Sequence, residues 1–459
     1  MFFGRQNELK RLDSIHDSRK FECVVLHGRL RVGKTALLRE FLKGKRAVYF
    51  AAQETSDREN LNSLIRCVET FPQETGAALP ALKDFYEEAF ERLQLLARTE
   101  RLILVIDDYE FLTAANRGIS ELICRYIDRK FIDSRLMLVI CGSSEPVMES
   151  EALGYDCPFH GRRTAQIKLE PFTFFDAKRF YSSFSPFDIA LVYGITGGVP
   201  GYLERMDPGL PLEENIKRSF FDTSSPLFEE PAGFLRREVR DPTYYNAVLK
   251  AIAAGCTKNS EISAAVGLET SACTAYLKNL TALGLVGKYT PVTEKAGKKT
   301  IYEIEDSLFR FWYRFVPDNL PHIQLGMVDK FWRNVARDIP AFMQKAFEDI
   351  CRQWVLERNE IDRLPAKFIE VGRWWGVDPV WKRDATVPIL AYSDDNNALF
   401  GDCVWSDEPA GVNSLISLED RSRLFRYPKR HLYLFSRSGF SSECADAARR
   451  IGANLVMFE

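Results

Sequence analysis

The sequence lacks the features that mark membrane-spanning and secreted proteins. No window approaches the roughly eighteen uninterrupted apolar residues of a membrane span, and the N-terminus MFFGR is charged almost at once, so we expect neither a membrane span nor a signal peptide. The ten cysteines are scattered without a CxxC pair, and several lie in apolar runs. This pattern predicts reduced core cysteines in a cytoplasmic protein and leaves no basis for a disulfide framework.

The sequence also lacks histidine motifs and a large net charge. The five histidines form no HExxH motif and no paired spacing, which leaves no histidine metal site to consider. The formal net charge is −2, so any nucleic-acid contact must come from a local patch. The chain has no internal repeat and no low-complexity tract. With 459 residues, of which 46% are apolar and 27% charged, it is typical of a globular protein with about three domains.

A phosphate-binding loop between a strand and a helix is indicated near the N-terminus. The apolar run FECVVLH suits a buried parallel strand, and Gly28 to Thr35 then match GxxxxGK[ST] at every fixed position. Gly33 lets backbone N–H groups surround the phosphates, Lys34 is expected at the β- and γ-phosphates, and Thr35 offers a hydroxyl to Mg²⁺. The residues predicted to bind ATP along this stretch are Gly28, Arg31, Val32, Gly33, Lys34, Thr35 and Ala36.

An acidic pair follows the apolar run RLILVI. Asp107, at the carboxyl end of this predicted strand, is the expected Mg²⁺ ligand. Asp108 stands where many ATPases have a glutamate that polarises the attacking water, and its side chain is one methylene shorter. Because a displacement of about 1 Å can cost roughly 100-fold in rate, we expect Asp108 to act as a catalytic residue that supports slow hydrolysis. The alternative is that Asp108 only caps the following helix.

Short apolar runs alternate with helical patterns through the N-terminal part of the chain. The predicted strands lie near residues 21–27, 46–51, 102–107, 136–141 and 165–169. This alternation predicts an α/β fold with a parallel, doubly wound sheet whose ligand lies at the carboxyl ends of the strands. The fourth run ends in Gly142-Ser143-Ser144. Ser143 or Ser144 is therefore a candidate hydroxyl beside the γ-phosphate, although the same residues also suit a simple turn.

Six motifs in chain order resemble the archaeal-type ATPases of the AAA+/STAND group, which also occurs in bacteria. They are FFGRQNEL, GRLRVGKTALL, VIDDYEFL, CGSS, HGRRTAQIKLEPF and ITGGVPGYLE. The resemblance implies an additional-strand P-loop NTPase fold followed by a small helical lid. The sequence departs from the family at Asp108, where a glutamate is usual, and this departure concerns turnover more than binding.

The resemblance also implies roles that motif spacing alone does not assign. It places Gly4 and Arg5 near the adenine or the phosphates, and Pro200 in the lid. It further implies that Arg162 or Arg163 reaches the γ-phosphate. A guanidinium group stabilises the charge of phosphoryl transfer, which gives this assignment a chemical reason. The alternative is that the two arginines form an ordinary surface pair.

A winged helix is predicted over residues 236–315. Three helical patterns with short turns, YYNAVLKAIAAG, NSEISAAVG and ETSACTAYLKNLTALGLV, precede two short strands about a lysine-rich tip. On the presumed recognition helix, residues 270–283, the candidates for contacts in a DNA groove are Tyr276, Lys278 and Asn279. On the wing, the candidates for phosphates of double-stranded DNA are Lys295, Lys298 and Lys299. The alternative is a winged helix that serves packing or dimerisation.

Residues 316–459 resemble the C-terminal domain of unknown function that follows these ATPases, a restriction-endonuclease-like α/β fold. In that family two carboxylates hold a metal and a lysine steadies the attacked phosphate. The corresponding aspartate, glutamate and lysine positions here are Pro388, Asp402 and Val404. Only Glu348 and Asp402 could still bind a metal, while a shift of the alignment by a few residues brings Lys382 and Asp384 closer. We therefore expect an inactive nuclease fold that presents a binding surface.

The leading hypothesis is a cytoplasmic, ATP-binding, Mg²⁺-dependent and slowly hydrolysing nucleotide switch. Its predicted domains are a P-loop core (1–171), a helical lid (172–235), the winged helix (236–315) and the endonuclease-like domain (316–459). ATP is expected to change how the lid and winged helix sit against the core, while the C-terminal domain serves a protein partner or self-association. Two other hypotheses stay open: a DNA nuclease licensed by ATP, and a transcriptional regulator that acts through its winged helix.

Overall fold

In the computed structural model the chain divides into two compact units. The first comprises Met1–Pro171 and Val199–Gly201, and the second comprises Phe172–Gly198 and Tyr202–Glu459. The structure describes residues 2–71, 82–83, 85–181, 184–292, 294, 299–379 and 382–458. Two of the predicted wing lysines, Lys295 and Lys298, lie outside the described residues. Within the described ranges, no helix combines the length and apolarity needed to cross a membrane.

The first unit is built on a parallel five-stranded sheet. Its strands are β1 (Glu22–His27), β2 (Ala47–Ala51), β3 (Leu102–Asp107), β4 (Leu136–Gly142) and β5 (Ala165–Lys168). The strand order is β2-β3-β4-β1-β5, and every neighbouring pair is parallel. Because β4 lies between β1 and β3, the sheet has the additional-strand arrangement of P-loop NTPases. The predicted fold class and the five predicted strands are thereby confirmed.

Helices cover both faces of this sheet. They are α1 (Gln6–Asp17), α2 (Lys34–Phe41), α3 (Asp57–Glu69), α4 (Tyr86–Leu96), α5 (Tyr109–Ala115), α6 (Ile119–Tyr126) and α7 (Glu145–Met148), with π-helical turns at Ile127–Phe131 and Glu149–Leu153. Val24 of β1 faces the layer formed by α1 and α2, whereas Val25 faces the layer formed by α3, α4 and α6. Strands buried on both sides read as continuous apolar runs, which explains why the sequence pattern located them.

The second unit begins with helices of the predicted lid. These are α8 (Phe174–Phe180), α9 (Pro186–Thr196), α10 (Pro200–Leu203), whose first two residues belong to the first unit, α11 (Leu212–Phe220) and α12 (Pro226–Glu238). Three further helices and an antiparallel hairpin follow: α13 (Thr243–Ala253), α14 (Asn259–Val266), α15 (Thr270–Ala282), β6 (Val286–Tyr289) and β7 (Ile301–Ile304). This is the element order predicted for the winged helix.

A mixed sheet completes the second unit. Its elements are α16 (Ser307–Phe315), α17 (Leu320–Gln324), α18 (Asp329–Glu360), β8 (Glu370–Val377), β9 (Asp384–Tyr392), β10 (Asn397–Val404), α19 (Val412–Ser422), β11 (Lys429–Ser436), α20 (Ser442–Ile451) and β12 (Asn454–Met457). The strand order is β12-β11-β10-β9-β8. Strands β8, β9 and β10 pair antiparallel, whereas β10, β11 and β12 pair parallel. The predicted α/β character is confirmed, and its finer likeness to restriction endonucleases stays a prediction.

Candidate nucleotide site

The loop between β1 and α2 has the backbone of a phosphate cradle. Its residues Gly28, Arg31 and Gly33 all have positive φ, at 149°, 65° and 98°. A Cβ atom at Gly28 would lie 2.3 Å from the carbonyl oxygen of Leu169, so only glycine fits there. Gly33 is the N-cap residue of α2, and the first N–H groups of a helix have no intrahelical partner. Such donors can bind an anion placed at the helix N-terminus.

The Lys34 side chain lies inside this loop and is buried. Its Nζ donates to the carbonyl oxygens of Gly28 at 2.7 Å and Arg29 at 3.1 Å. Burial lowers the pKa of Lys34, and the acidic groups of Glu110 and Asp107 act in the opposite direction. A buried ammonium beside the N–H groups of a helix N-terminus is a donor set that fits phosphate oxygens.

Several donors hold Asp107 at the carboxyl end of β3, and the buried Cys141 thiol also lies within hydrogen-bonding reach of this carboxylate. Its Oδ2 accepts from the Thr35 hydroxyl at 3.0 Å and from the Tyr49 hydroxyl, and its Oδ1 accepts from the Asp108 N–H at 3.0 Å. Burial, followed by the bond to Asp107, raises the pKa of Tyr49 well above its usual value, so this hydroxyl stays protonated and donates to the carboxylate. A hydroxyl and a carboxylate in contact beside a phosphate cradle are a ligand pair that fits Mg²⁺.

Asp108 is surrounded by other acids. Burial first, and then the charges of Asp107 and Glu110, raise the pKa of the Asp108 carboxyl to about 6, against the opposing charge of Lys34. Asp108 is the N-cap residue of α5 and has a left-handed φ of 53°, but its side chain makes no capping hydrogen bond. The capping alternative for this residue is therefore wrong in the free protein, and its carboxylate is left for another role.

Glu110 belongs to the site and was not among the predicted residues. Both of its carboxylate oxygens accept from the Ser143 N–H, at 3.1 and 3.2 Å. The contact ties the first turn of α5 to the end of β4, so Ser143 lies in the same region as Asp108. Ser144 is the N-cap residue of α7. The signal that could have found Glu110 is its position three residues after Asp107, in the first turn of the helix that follows the metal-binding strand.

Gly4 and Arg5, assigned by resemblance, lie beside the phosphate loop. Both residues have left-handed backbone conformations, with φ of 66° and 67°. The Arg5 guanidinium donates to the Val32 carbonyl at 3.2 Å and to the Glu170 carbonyl at 2.6 Å. Arg5 thus joins the loop to the segment after β5.

The Val199–Gly201 segment also packs on this loop, within the first unit. The Gly201 N–H donates to the Arg31 carbonyl at 3.1 Å, and a Cβ atom at Gly201 would lie 2.8 Å from the Arg31 Cβ. The ring of Pro200 lies 4.0 Å from the place of a Cβ at Gly33. Pro200, predicted for the lid, is therefore beside the glycine that opens α2.

Arg162 and Arg163 are engaged away from the phosphate loop. Arg162 forms two parallel hydrogen bonds of 2.8 Å with Asp128, and this partner raises the pKa of the arginine. Arg163 donates to the Ala152 carbonyl at 2.8 Å. The structure does not bring either guanidinium to Lys34. A role at the γ-phosphate therefore requires one of these intrachain contacts to break.

The residues predicted for DNA contact are largely occupied within the second unit. Tyr276 packs at a tilt on Tyr244 and edge-to-face on Tyr245, with ring centroids 5.6 and 5.0 Å apart, and Asn279 donates to the Tyr245 hydroxyl at 2.9 Å. Lys278 is exposed.

The described part of the wing packs on β8. Lys299 pairs with Glu294 at 2.6 Å, and its carbonyl accepts from the Trp375 indole at 3.0 Å. The Val292 N–H donates to the Arg373 carbonyl at 2.9 Å. These contacts favour the packing alternative for this segment.

Arginines contact the two positions where the resemblance places nuclease acids. Arg352 donates to the Pro388 carbonyl at 3.0 Å, and Arg421 pairs with Asp402. Glu348 accepts from Gln344 at 3.1 Å, and burial raises the pKa of Glu348. Lys382 and Asp384 lie exposed at the start of β9. Across the described residues, no group of three His, Cys, Asp or Glu side chains is arranged as a metal site.

Comparison with known proteins agrees with this geometry. Residues 2–206 match a family of ATPase domains found predominantly in Archaea, and residues 312–416 match archaeal and bacterial proteins of unknown function. An uncharacterised protein of Methanocaldococcus jannaschii is 30% identical over 409 residues, which cover 89% of this chain and 88% of that protein. The resemblance to archaeal-type ATPases is confirmed.

One solved structure shows the same fold, and another is similar to a lesser degree. A Walker-type ATPase of Pyrococcus abyssi superimposes with a TM-score of 0.55 at 20% identity, over 68% of this chain and 96% of that one. The ORC2 protein of Aeropyrum pernix, solved as ADPNP–ADP complexes, gives a TM-score of 0.42 at 15% identity, over 71% of this chain and 95% of that one.

Proposed function

Since the chain belongs to the family of archaeal-type P-loop ATPases, which bind nucleotide, we propose that it is a Mg²⁺-dependent switch that binds ATP and hydrolyses it slowly. The observation that carries the proposal is the arrangement of Thr35, Asp107 and Asp108 beside the buried ammonium of Lys34. The arrangement supplies a phosphate donor set, a metal-ligand pair and one free carboxylate.

Each of these residues has a distinct part in the proposed reaction. Lys34 and the N–H groups at the start of α2 hold the phosphates, while Thr35 and Asp107 hold Mg²⁺, which neutralises phosphate charge when bound. The Asp108 carboxylate orients the attacking water. Because its side chain is one methylene shorter than glutamate, its oxygen stands farther from the γ-phosphate, and this distance is the proposed cause of slow turnover.

The switch is proposed to act through the Val199–Gly201 segment. This segment contacts the phosphate loop at Arg31 and Gly33, while the residues on either side of it in the chain belong to the second unit. A change in the conformation of the loop on ATP binding is therefore passed to the second unit through the three residues Val199–Gly201. We include neither DNA binding nor cleavage in the proposal. Lys299, a candidate DNA contact, pairs with Glu294, and Asp402, a candidate metal ligand, pairs with Arg421.

Single-turnover hydrolysis and equilibrium ATP binding test the proposal. Wild type, Lys34→Ala, Asp108→Glu and the control Lys43→Ala are compared with and without Mg²⁺; Lys43 is exposed just after α2 and pairs with Glu40. We expect Lys34→Ala to lose ATP binding, Lys43→Ala to behave as wild type, and Asp108→Glu to hydrolyse about tenfold faster or more. Absence of Mg²⁺-dependent ATP binding by wild type contradicts the proposal.

A further inference from the structure

Tyr49 approaches the metal-binding carboxylate from a neighbouring strand. In the parallel pair β2–β3, Ala51 lies opposite Asp107 and Tyr49 lies opposite Val105. Tyr49 is therefore two residues before the partner of Asp107, on the same face of the sheet. The length of its ring brings the hydroxyl to Oδ2 of Asp107.

The donors on Asp107 come from different parts of the first unit. Thr35 donates to Oδ2 at 3.0 Å, and as a metal ligand it would bind the cation through an oxygen lone pair while its hydroxyl hydrogen stays on the carboxylate. The Asp108 N–H is fixed by the backbone and reaches only Oδ1. Tyr49 holds Oδ2 from a strand outside the phosphate loop, and its half-buried ring restricts where its hydroxyl can point.

We propose that Tyr49 is a positioning residue for the Mg²⁺ site, which holds the Asp107 carboxylate in the orientation that binds the metal. The inference rests on the proposed function, because it assumes that Mg²⁺ and nucleotide share this site. Residues that hydrogen-bond a metal ligand typically change metal affinity by about 10- to 100-fold when they are removed. Tyr49 is such a residue, and it lies on a strand that carries no part of the phosphate-binding motif.

The test is ADP binding by calorimetry in EDTA and across a MgCl₂ series, with ADP used so that no hydrolysis intervenes. Wild type is compared with Tyr49→Phe, which removes only the hydroxyl. Tyr86→Phe is the matched control, because it removes a tyrosine–aspartate bond of the same kind, from Tyr86 to Asp57 at 2.8 Å on α3. We expect Tyr49→Phe to need about tenfold more Mg²⁺ for half-saturation, with unchanged ADP affinity in EDTA.

The outcomes separate this inference from the function on which it rests. If wild type depends on Mg²⁺ and Tyr49→Phe has the same Mg²⁺ midpoint, the role of Tyr49 is wrong and the proposed function stands. Loss of ADP binding by Tyr49→Phe in EDTA overturns the inference too, since the hydroxyl then supports the phosphate loop. If Tyr86→Phe shifts the Mg²⁺ midpoint equally, the shift reflects a general effect on folding and the inference is wrong. If Mg²⁺ does not affect ADP binding by wild type, the proposed function and the role of Tyr49 both fail.

Discussion

Asp108 shows how the demands of a site conflict with stability at a single residue. Its carboxylate has no capping bond and lies near the charges of Asp107 and Glu110. The ionised form is therefore disfavoured in the folded protein. Carboxyl groups with strongly raised pKa values cluster at functional sites, which supports the role proposed for Asp108.

Asp108→Asn is expected to stabilise the metal-free protein while it reduces hydrolysis. The folded pKa of about 6 lies above the ordinary 3.8, so ionisation destabilises the fold fully above pH 6 and not at all below pH 4. The gain in unfolding free energy should thus grow from pH 4 to 6 and then level, reaching about 1 kcal/mol after allowance for the half-exposed site. Urea unfolding in EDTA at several pH values measures it, and a gain that does not vary with pH would contradict the electrostatic cause.

At the scale of elements, one glutamate joins three parts of the second unit. Glu303 of β7 accepts from Lys345 of α18 at 2.5 Å and from Arg373 of β8 at 2.9 Å. Burial alone raises the pKa of Glu303, but the charges of Lys345 and Arg373 outweigh burial and hold that pKa below its usual value. The hairpin β6–β7 is thus fastened to the mixed sheet by charge as well as by packing.

Glu303→Gln should destabilise the protein by about 2 kcal/mol, because it leaves two mostly buried cations without their counter-charge. Asp446→Asn is the control, since it removes an exposed pair with Arg449 on α20 and should cost well under about 1 kcal/mol. Urea unfolding at neutral pH compares the two variants. Equal effects would show that the network adds no more than a surface pair.

Elements that obey local rules could be predicted from the sequence, and contacts between distant strands could not. β1 and β3 are buried on both faces, so their apolar runs were visible without a structure. The Tyr49 hydroxyl meets Asp107 across 58 positions of sequence, and no periodicity signals that contact. The sequence shows the residue type of Arg162 and its place in the order of motifs, and these alone suggested a phosphate ligand. Its pairing with Asp128 depends on how the chain folds around α6, which the sequence does not show.

At the scale of the whole molecule, Gly201 offers a test of communication between the units. A Cβ at this position meets Arg31 at 2.8 Å, so Gly201→Ala should push the segment away from the phosphate loop. Hydrogen exchange in α11 should slow on ATP binding in wild type and change less in this variant. Gly233→Ala is the matched control, because a Cβ there has nothing within 4 Å. An identical ATP response in Gly201→Ala contradicts the proposed coupling.

The packing of the hairpin on β8 also matters for solubility. β8 is the outermost strand of the mixed sheet, and an uncovered outer strand presents free backbone donors and acceptors that recruit other chains. Val292 covers part of that border by its hydrogen bond to Arg373, and it belongs to the same buried apolar cluster as Trp374. Without this hairpin, the C-terminal sheet would therefore expose an aggregation-prone edge strand. The hairpin and the sheet should be expressed together as one folding unit.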